Sequence, residues 1–216
     1  MSRRLLLGLL VIFFSLPAGA QVGYPPVEVS AGYAYVNLDV PGFLAQTQNA
    51  HGFGGSLNGN FNRHFGFSAD FAAQYGDVSP GPPLFCIAIF PPPPACLQPP
   101  STNFSAFHFL AGPRVTGRSQ RFTTFAHALF GVAHTRTSPF SLVIPLPPPL
   151  RPIPLSIPEA SDNNFAMGFG GGFDVNANRR VALRVLQFDY VPVHTDAGFL
   201  HNFRFKSGVV LKLGSP

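Results

Sequence analysis

The sequence predicts an all-β protein: an eight-stranded antiparallel up-and-down transmembrane β-barrel with long proline-rich extracellular loops. Three observations predict it. Apolar and polar residues alternate without a break from Phe65 to Tyr75 (FGFSADFAAQY), and the same period of two recurs along the chain; this is the signature of a strand with two unlike faces. Such a run is also about as long as a tilted strand must be to cross the hydrocarbon core of a bilayer. Finally, the chain opens on an export segment and is poor in charge.

Arg3 and Arg4 precede an apolar run from Leu5 to Leu16, and Ala18-Gly19-Ala20 supplies a small-x-small cleavage site. Residues 1–20 therefore read as a signal peptide, and 21–216 as one barrel domain beginning at Gln21. The apolar run is too short for a spanning helix, and Pro17 follows it. Removing Arg3 and Arg4 lowers the formal charge from +5 to +3, so the basic balance reflects few acids rather than a nucleic-acid face. Charged residues make up 11% of the chain, against about 25% in ordinary soluble domains. That is too little charge for a surface turned wholly to water.

Eight segments carry the alternation, in four hairpins. Val27–Leu38 sets Val27, Val29, Ala31, Tyr33 and Tyr35 against Glu28, Ser30, Gly32 and Ala34. His51–Phe61 sets Phe53, Leu57 and Phe61 against glycine, serine and asparagine, and Asn62-Arg63-His64 turns tightly into Phe65–Tyr75. In Phe104–Val115, Phe107, Phe109 and Ala111 oppose His108, Gly112 and Arg114; Pro113 lacks a donor, which predicts a bulge or strand end there. Phe122–Arg136 is less clean, because Phe125 and Leu129 share a face with His127 and Gly131.

Asn164–Val175 restores the regular pattern, with Phe165, Met167, Phe169 and Phe173 opposite Gly168, Gly170, Gly172 and Asp174. Arg180–Val191 breaks parity: Arg184 is even, whereas Gln187 and Asp189 are odd. One extra residue near Val185-Leu186, a β-bulge, returns them to one face. Asn202–Leu213 places Phe203, Phe205, Val209, Leu211 and Leu213 against Arg204, Lys206 and Lys212.

The connections alternate. Those at 62–64, 116–121 and 176–179 are short and polar, and those at 39–50, 76–103, 138–163 and 192–201 are long. An even-stranded barrel with both termini in the periplasm has this rhythm, with long loops outside. Period two alone does not say which face points outward, and a soluble barrel would bury the phenylalanines. The other face is mostly Gly, Ser, Asn and Ala, which suits the crowded lumen of eight strands. Tyr33, Tyr35, Tyr75 and Tyr190 lie near strand ends on the apolar set, where an interfacial girdle belongs. Phe53, Phe65, Phe67, Phe71, Phe165, Phe169 and Phe173 are thus expected to face lipid.

The run Phe107-His108-Phe109-Leu110-Ala111-Gly112-Pro113-Arg114-Val115, with Val185-Leu186-Gln187-Phe188-Asp189-Tyr190, resembles the small bacterial outer-membrane β-barrel proteins related to the OmpA transmembrane domain. The resemblance implies a barrel in the bacterial outer membrane, surrounded by outer-membrane lipid and lipopolysaccharide. The last strand, Ser207-Gly208-Val209-Val210-Leu211-Lys212-Leu213, is similar to the β-signal read by the barrel-assembly machinery, although it carries Leu where aromatics are usual and ends Gly214-Ser215-Pro216. No separate peptidoglycan-binding domain is expected beside the barrel, so the resemblance does not imply an anchoring role.

Glu28, Asp70, Asp174 and Asp189 share the inward set with Arg114, Arg184, Gln187, Arg204, Lys206 and Lys212. In a narrow lumen these must pair, because an unpaired buried charge is very costly. They are read as a polar network that closes the lumen; a small pore is the alternative. Seven histidines lack HExxH spacing, the chain lacks CxxC, and no legible Ser–His–Asp set surrounds His127 or His134. No metal, cofactor or catalytic group is expected, and a lipid-modifying enzyme is the remaining class. The GFGGGF run at 168–173 lies on a strand and opens no helix, so it is no nucleotide loop.

Residues 76–103 hold nine prolines and 138–163 hold eight, within apolar stretches such as LFCIAIFPPPPACL. Stiff polyproline segments are expected there. They would form a lid over the barrel or a surface that engages a partner or lipopolysaccharide. Cys86 and Cys96 lie in the first loop and are expected to form a disulfide in an exported protein.

Overall fold

The computed structural model describes residues 23–38, 48–78, 102–144, 151, 153–196 and 198–214. The expected signal peptide, Cys86, Cys96 and most of the first proline-rich stretch lie outside these residues. Ten strands follow in order: β1 (Val27–Leu38), β2 (Gln48–Asn60), β3 (Phe65–Val78), β4 (Thr102–Arg118), β5 (Phe122–Thr137), β6 (Phe140–Ile144), β7 (Ile153–Ile157), β8 (Ala160–Asn176), β9 (Val181–Thr195) and β10 (Gly198–Leu213). Eight of them close a barrel in the order β1-β10-β9-β8-β5-β4-β3-β2, every pair antiparallel. β10 closes it on β1 from Val27↔Leu213 to Asn37↔Phe203, so neither strand is left as a bare edge.

Three short turns lie at the same end as the two termini. Asn62 Oδ1 accepts the His64 and Phe65 amides, both at 2.8 Å, and Asn178 Oδ1 accepts the Arg180 and Val181 amides at 2.8 Å. An asparagine side chain that mimics the backbone turn is why each reversal needs so few residues. Ser119 tightens the β4–β5 turn by accepting the Phe122 amide at 3.0 Å.

The faces are inverted relative to a soluble barrel. Phe53 and Phe65 are 55% and 57% exposed, whereas Asp189 and Arg204 are both 0% exposed. Phe67, Phe165 and Phe169 are exposed too, and Phe71 and Phe173 are half-buried on the same outward set. From Phe65 to Tyr75 the outward set of β3 is apolar; at ordinary rise and tilt it stands about 25 Å tall, the height of an outer-membrane hydrocarbon band.

The β9 bulge lies at the expected place. Phe173↔Leu186 is followed by Asp174↔Arg184, and Lys206↔Gln187 by Gly208↔Arg184. Val185 and Leu186 both face outward, which lets Arg184, Gln187 and Asp189 all point inward. The Ser207 hydroxyl, on the outward set of β10, donates to the Arg184 carbonyl at 3.1 Å and satisfies backbone that the bulge disturbs.

Pro113 differs from expectation. β4 runs on to Arg118, and the pairings Ala111↔Phe130 and Arg114↔His127 keep one register across it. A missing donor removes a rung without inserting a residue, so neither a bulge nor an end results.

Two of the expected long connections are also corrected. β9 and β10 extend to Thr195 and Gly198, leaving a two-residue reversal in place of a loop over 192–201. Gly198 there takes φ 118°, a backbone conformation that favours glycine. Within 138–163, β6 and β7 pair as an antiparallel ribbon from Phe140↔Ile157 to Ile144↔Ile153. Pro154 sits at the edge of that ribbon, where its missing donor is tolerated.

Candidate functional site

Glu28, Asp70, Arg114, Asp174, Arg184, Gln187, Asp189, Arg204 and Lys206 of the expected inward set are buried, and Lys212 is half-buried. The structure links them across the lumen in layers. Nearest the termini, Glu28 of β1 holds Arg114 of β4 at 2.8 Å and Arg118 at 3.1 Å. On the opposite wall Arg184 grips Asp174 with two donors, Nε at 2.8 Å and Nη2 at 3.2 Å. Phe125 of β5 lies between, its ring 4.2 Å from the Arg114 guanidinium carbon and 4.4 Å from that of Arg184. An apolar side chain on the inner face is thus a platform for two cations.

The second layer is joined to the first through Gln187. Its Oε1 accepts from Arg184 at 2.9 Å, and its Nε2 donates to both Asp189 oxygens at 3.1 and 2.9 Å. Asp189 also accepts from Arg204 Nε at 3.1 Å and Nη2 at 2.8 Å, and from His127 Nε2 at 2.9 Å. Arg204 Nη2 lies 2.8 Å from Asp70 Oδ1 as well, and Lys206 pairs with the other Asp70 oxygen. Arg204 and Lys206 come from β10 and Asp70 from β3, with β1 and β2 between them in the barrel order. The layer therefore bridges the lumen rather than lining one wall.

Above it the lumen turns apolar. Leu110, Leu129, Ala133, Ala166, Val191 and Val193 form one buried cluster; Val36, Leu38 and Ala50 form another beside Phe104. His108, whose cross-strand partner Ala133 belongs to the first cluster, is joined to Gln74 by a hydrogen bond of 3.0 Å.

Glycines make room for these side chains. A Cβ on Gly172 would lie 2.5 Å from the Phe125 ring, and one on Gly170 would strike the Asp189 carboxylate. The GFGGGF run of β8 is therefore the low wall over which the largest lumen groups lean.

Sequence reading missed three parts of this site. Arg118 lies within a stretch that reads as a polar turn. The His127–Asp189 pair spans one strand: both residues are partners of Gly170 on β8, whose missing side chain lets them meet over it. The apolar upper layer is invisible to parity, which reports the face of a residue but not its height. Among the described residues no group of three or more His, Cys, Asp or Glu side chains could hold a metal.

On the outer surface, aromatics and histidines ring the loop end of the apolar band. The Tyr33 hydroxyl pairs with His51 and the Tyr190 hydroxyl with His201. Phe107 packs near His134, and Phe199 near His194. Beyond this girdle Glu159 is paired with Arg136; the hydrogen bond and the guanidinium charge hold its carboxyl below the usual carboxylate range.

The comparisons agree with this geometry. The sequence model of the family described as outer membrane protein beta-barrel domain matches residues 6–211. Among solved structures, Neisserial surface protein A (NspA) is similar, with a TM-score of 0.59 at 12% identity over 87% of this chain and 97% of that one. Ail, the attachment invasion locus protein of Yersinia pestis, solved in complex with the heparin analogue sucrose octasulfate, is similar with a TM-score of 0.51 at 15% identity over 87% and 99%. At those identities the likeness concerns the fold. No curated protein matches in sequence. The chain belongs to the outer membrane protein beta-barrel domain family.

Proposed function

We propose that this member of the outer-membrane β-barrel family is a non-enzymatic protein with a structural or surface-interaction role, and that its own side chains close its lumen. The observation that carries the reading is the bridging layer: Arg204, wholly buried, holds Asp189 and Asp70 at once. The apolar cluster around Leu129 and Val191 adds a second, dry layer above it. Side chains fill the interior of an eight-stranded barrel without leaving a channel. His127, the inward histidine nearest a carboxylate, shares Asp189 with Arg204 and Gln187, so Asp189 serves as an anchor for the layer rather than as the orienting acid of a free base.

In this reading the signal peptide is cleaved after Ala20 and the termini and short turns lie in the periplasm. The outward apolar band is solvated by outer-membrane lipid, with lipopolysaccharide against the aromatic and histidine girdle. The barrel-assembly machinery reads the last strand, and the proline-rich loops present a surface to a partner outside the cell. Cys86 and Cys96 are bridged; thiol labelling of unreduced, denatured protein should find no reactive thiol, and two per chain would remove the bridge.

Planar-bilayer recording of pure refolded protein tests the closed lumen. The expected result is no sustained conductance. Steady single-channel currents would favour the pore instead, and altered lipid A on mass spectrometry after expression would favour the enzyme.

A further inference from the structure

The charge in the lumen is not evenly matched. In the upper polar layer Arg204 and Lys206 face Asp70 and Asp189, two against two. Among the described residues, Arg114, Arg118, Arg184 and Lys212 in the layer nearest the termini share only Glu28 and Asp174, four against two. The surplus of two cations is confined to one end.

The same end holds donors with no protein partner among the described residues. Arg114 is 1% exposed; its Nη1 donates to Glu28 and Phe125 covers one face, yet Nε and Nη2 are buried and unpaired. These two nitrogens form one straight edge of the guanidinium, the edge that takes two oxygens of a carboxylate or phosphate side by side. Arg184 uses the equivalent edge to grip Asp174. Two residues along the same inward face of β4, the Thr116 hydroxyl is likewise buried and unpaired, and four along, so is Arg118 Nε. Leaving such donors unmet inside a protein is costly, more so when they are charged.

We propose that the Arg114 edge, the Thr116 hydroxyl and Arg118 Nε form a site for a small oxyanion, a phosphate or carboxylate presenting two oxygens. The anion enters from the end that carries the termini, past Lys212 and the partly exposed Arg118, and neutralises the local surplus. The site stands apart from the bridging layer above it and does not depend on whether the lumen conducts.

The test uses the mature chain refolded in detergent micelles, with inorganic phosphate and acetate as probes at an ionic strength held constant by chloride. The arginine Nε–H resonance that disappears in Arg114→Lys identifies Arg114. A saturable shift of that resonance with either probe is expected. Thr116→Val removes a hydroxyl that no described protein group uses, so it should fold as the parent does yet bind the probe about fivefold more weakly, the loss of one hydrogen bond. An unmoved Arg114 resonance would overturn the site and leave water as the partner of these donors. Equal affinity in Thr116→Val would overturn it too.

Discussion

Arg204 shows at the scale of one residue what the lumen demands. It is wholly buried and holds two carboxylates from different strands. Replacing it with alanine strands both acids beside Lys206 and His127, and removing one partner of a buried ion pair costs about 3–5 kcal/mol. We expect Arg204→Ala to lose that much in urea unfolding from detergent, whereas Arg179→Ala in the exposed β8–β9 turn stays within about 0.5 kcal/mol. Equal losses would mean that the network contributes nothing particular. That Arg204 points inward is legible from parity alone, since its neighbours Phe203 and Phe205 are apolar. Asp189 is its cross-strand neighbour in the β9–β10 hairpin, but Asp70 lies on β3, and that meeting is fixed by closure and strand stagger rather than by any local pattern. Glu28 and Arg118, 90 residues apart, meet for the same reason.

The bulge in β9 belongs to the scale of the element. Without it Arg184 would project into lipid whenever Gln187 and Asp189 project inward, because a one-residue slip exchanges the faces. Deleting Val185 removes the extra residue and leaves Arg184, Gln187 and Asp189 in strict alternation on one face, so the heat-modifiable folded band on gels should persist. Loss of that band would show that the bulge is needed for more than the parity it restores. Ser207→Ala, which frees the Arg184 carbonyl, should cost about 1 kcal/mol. The bulge was readable because a parity break leaves only one economical repair. The longer strand ends and the two-residue β9–β10 reversal were not, because Pro192 and the mixed residues around it carry the composition of a loop. The β6–β7 ribbon was hidden in the same way, within a stretch whose prolines outweigh its alternating Leu142, Ile144, Ile153 and Leu155.

At the scale of the whole molecule, the protein is an inside-out barrel: phenylalanines on the outward face around a charged and apolar filling. The eight barrel strands and their order follow from the alternation and the turn residues, and the family match and the structural neighbours agree with them. Which face is outward is the point at which a soluble barrel and a membrane barrel part company. Nitroxide labels placed one at a time from Phe104 to Arg114 of β4, in a Cys86→Ser, Cys96→Ser background in lipid vesicles, test it directly. Oxygen, which concentrates in hydrocarbon, should reach labels at Phe107, Phe109 and Ala111 and be excluded from those at Ala106, His108 and Leu110. The opposite phase, or greatest access of a water-soluble nickel chelate at the phenylalanine positions, would contradict the barrel described here.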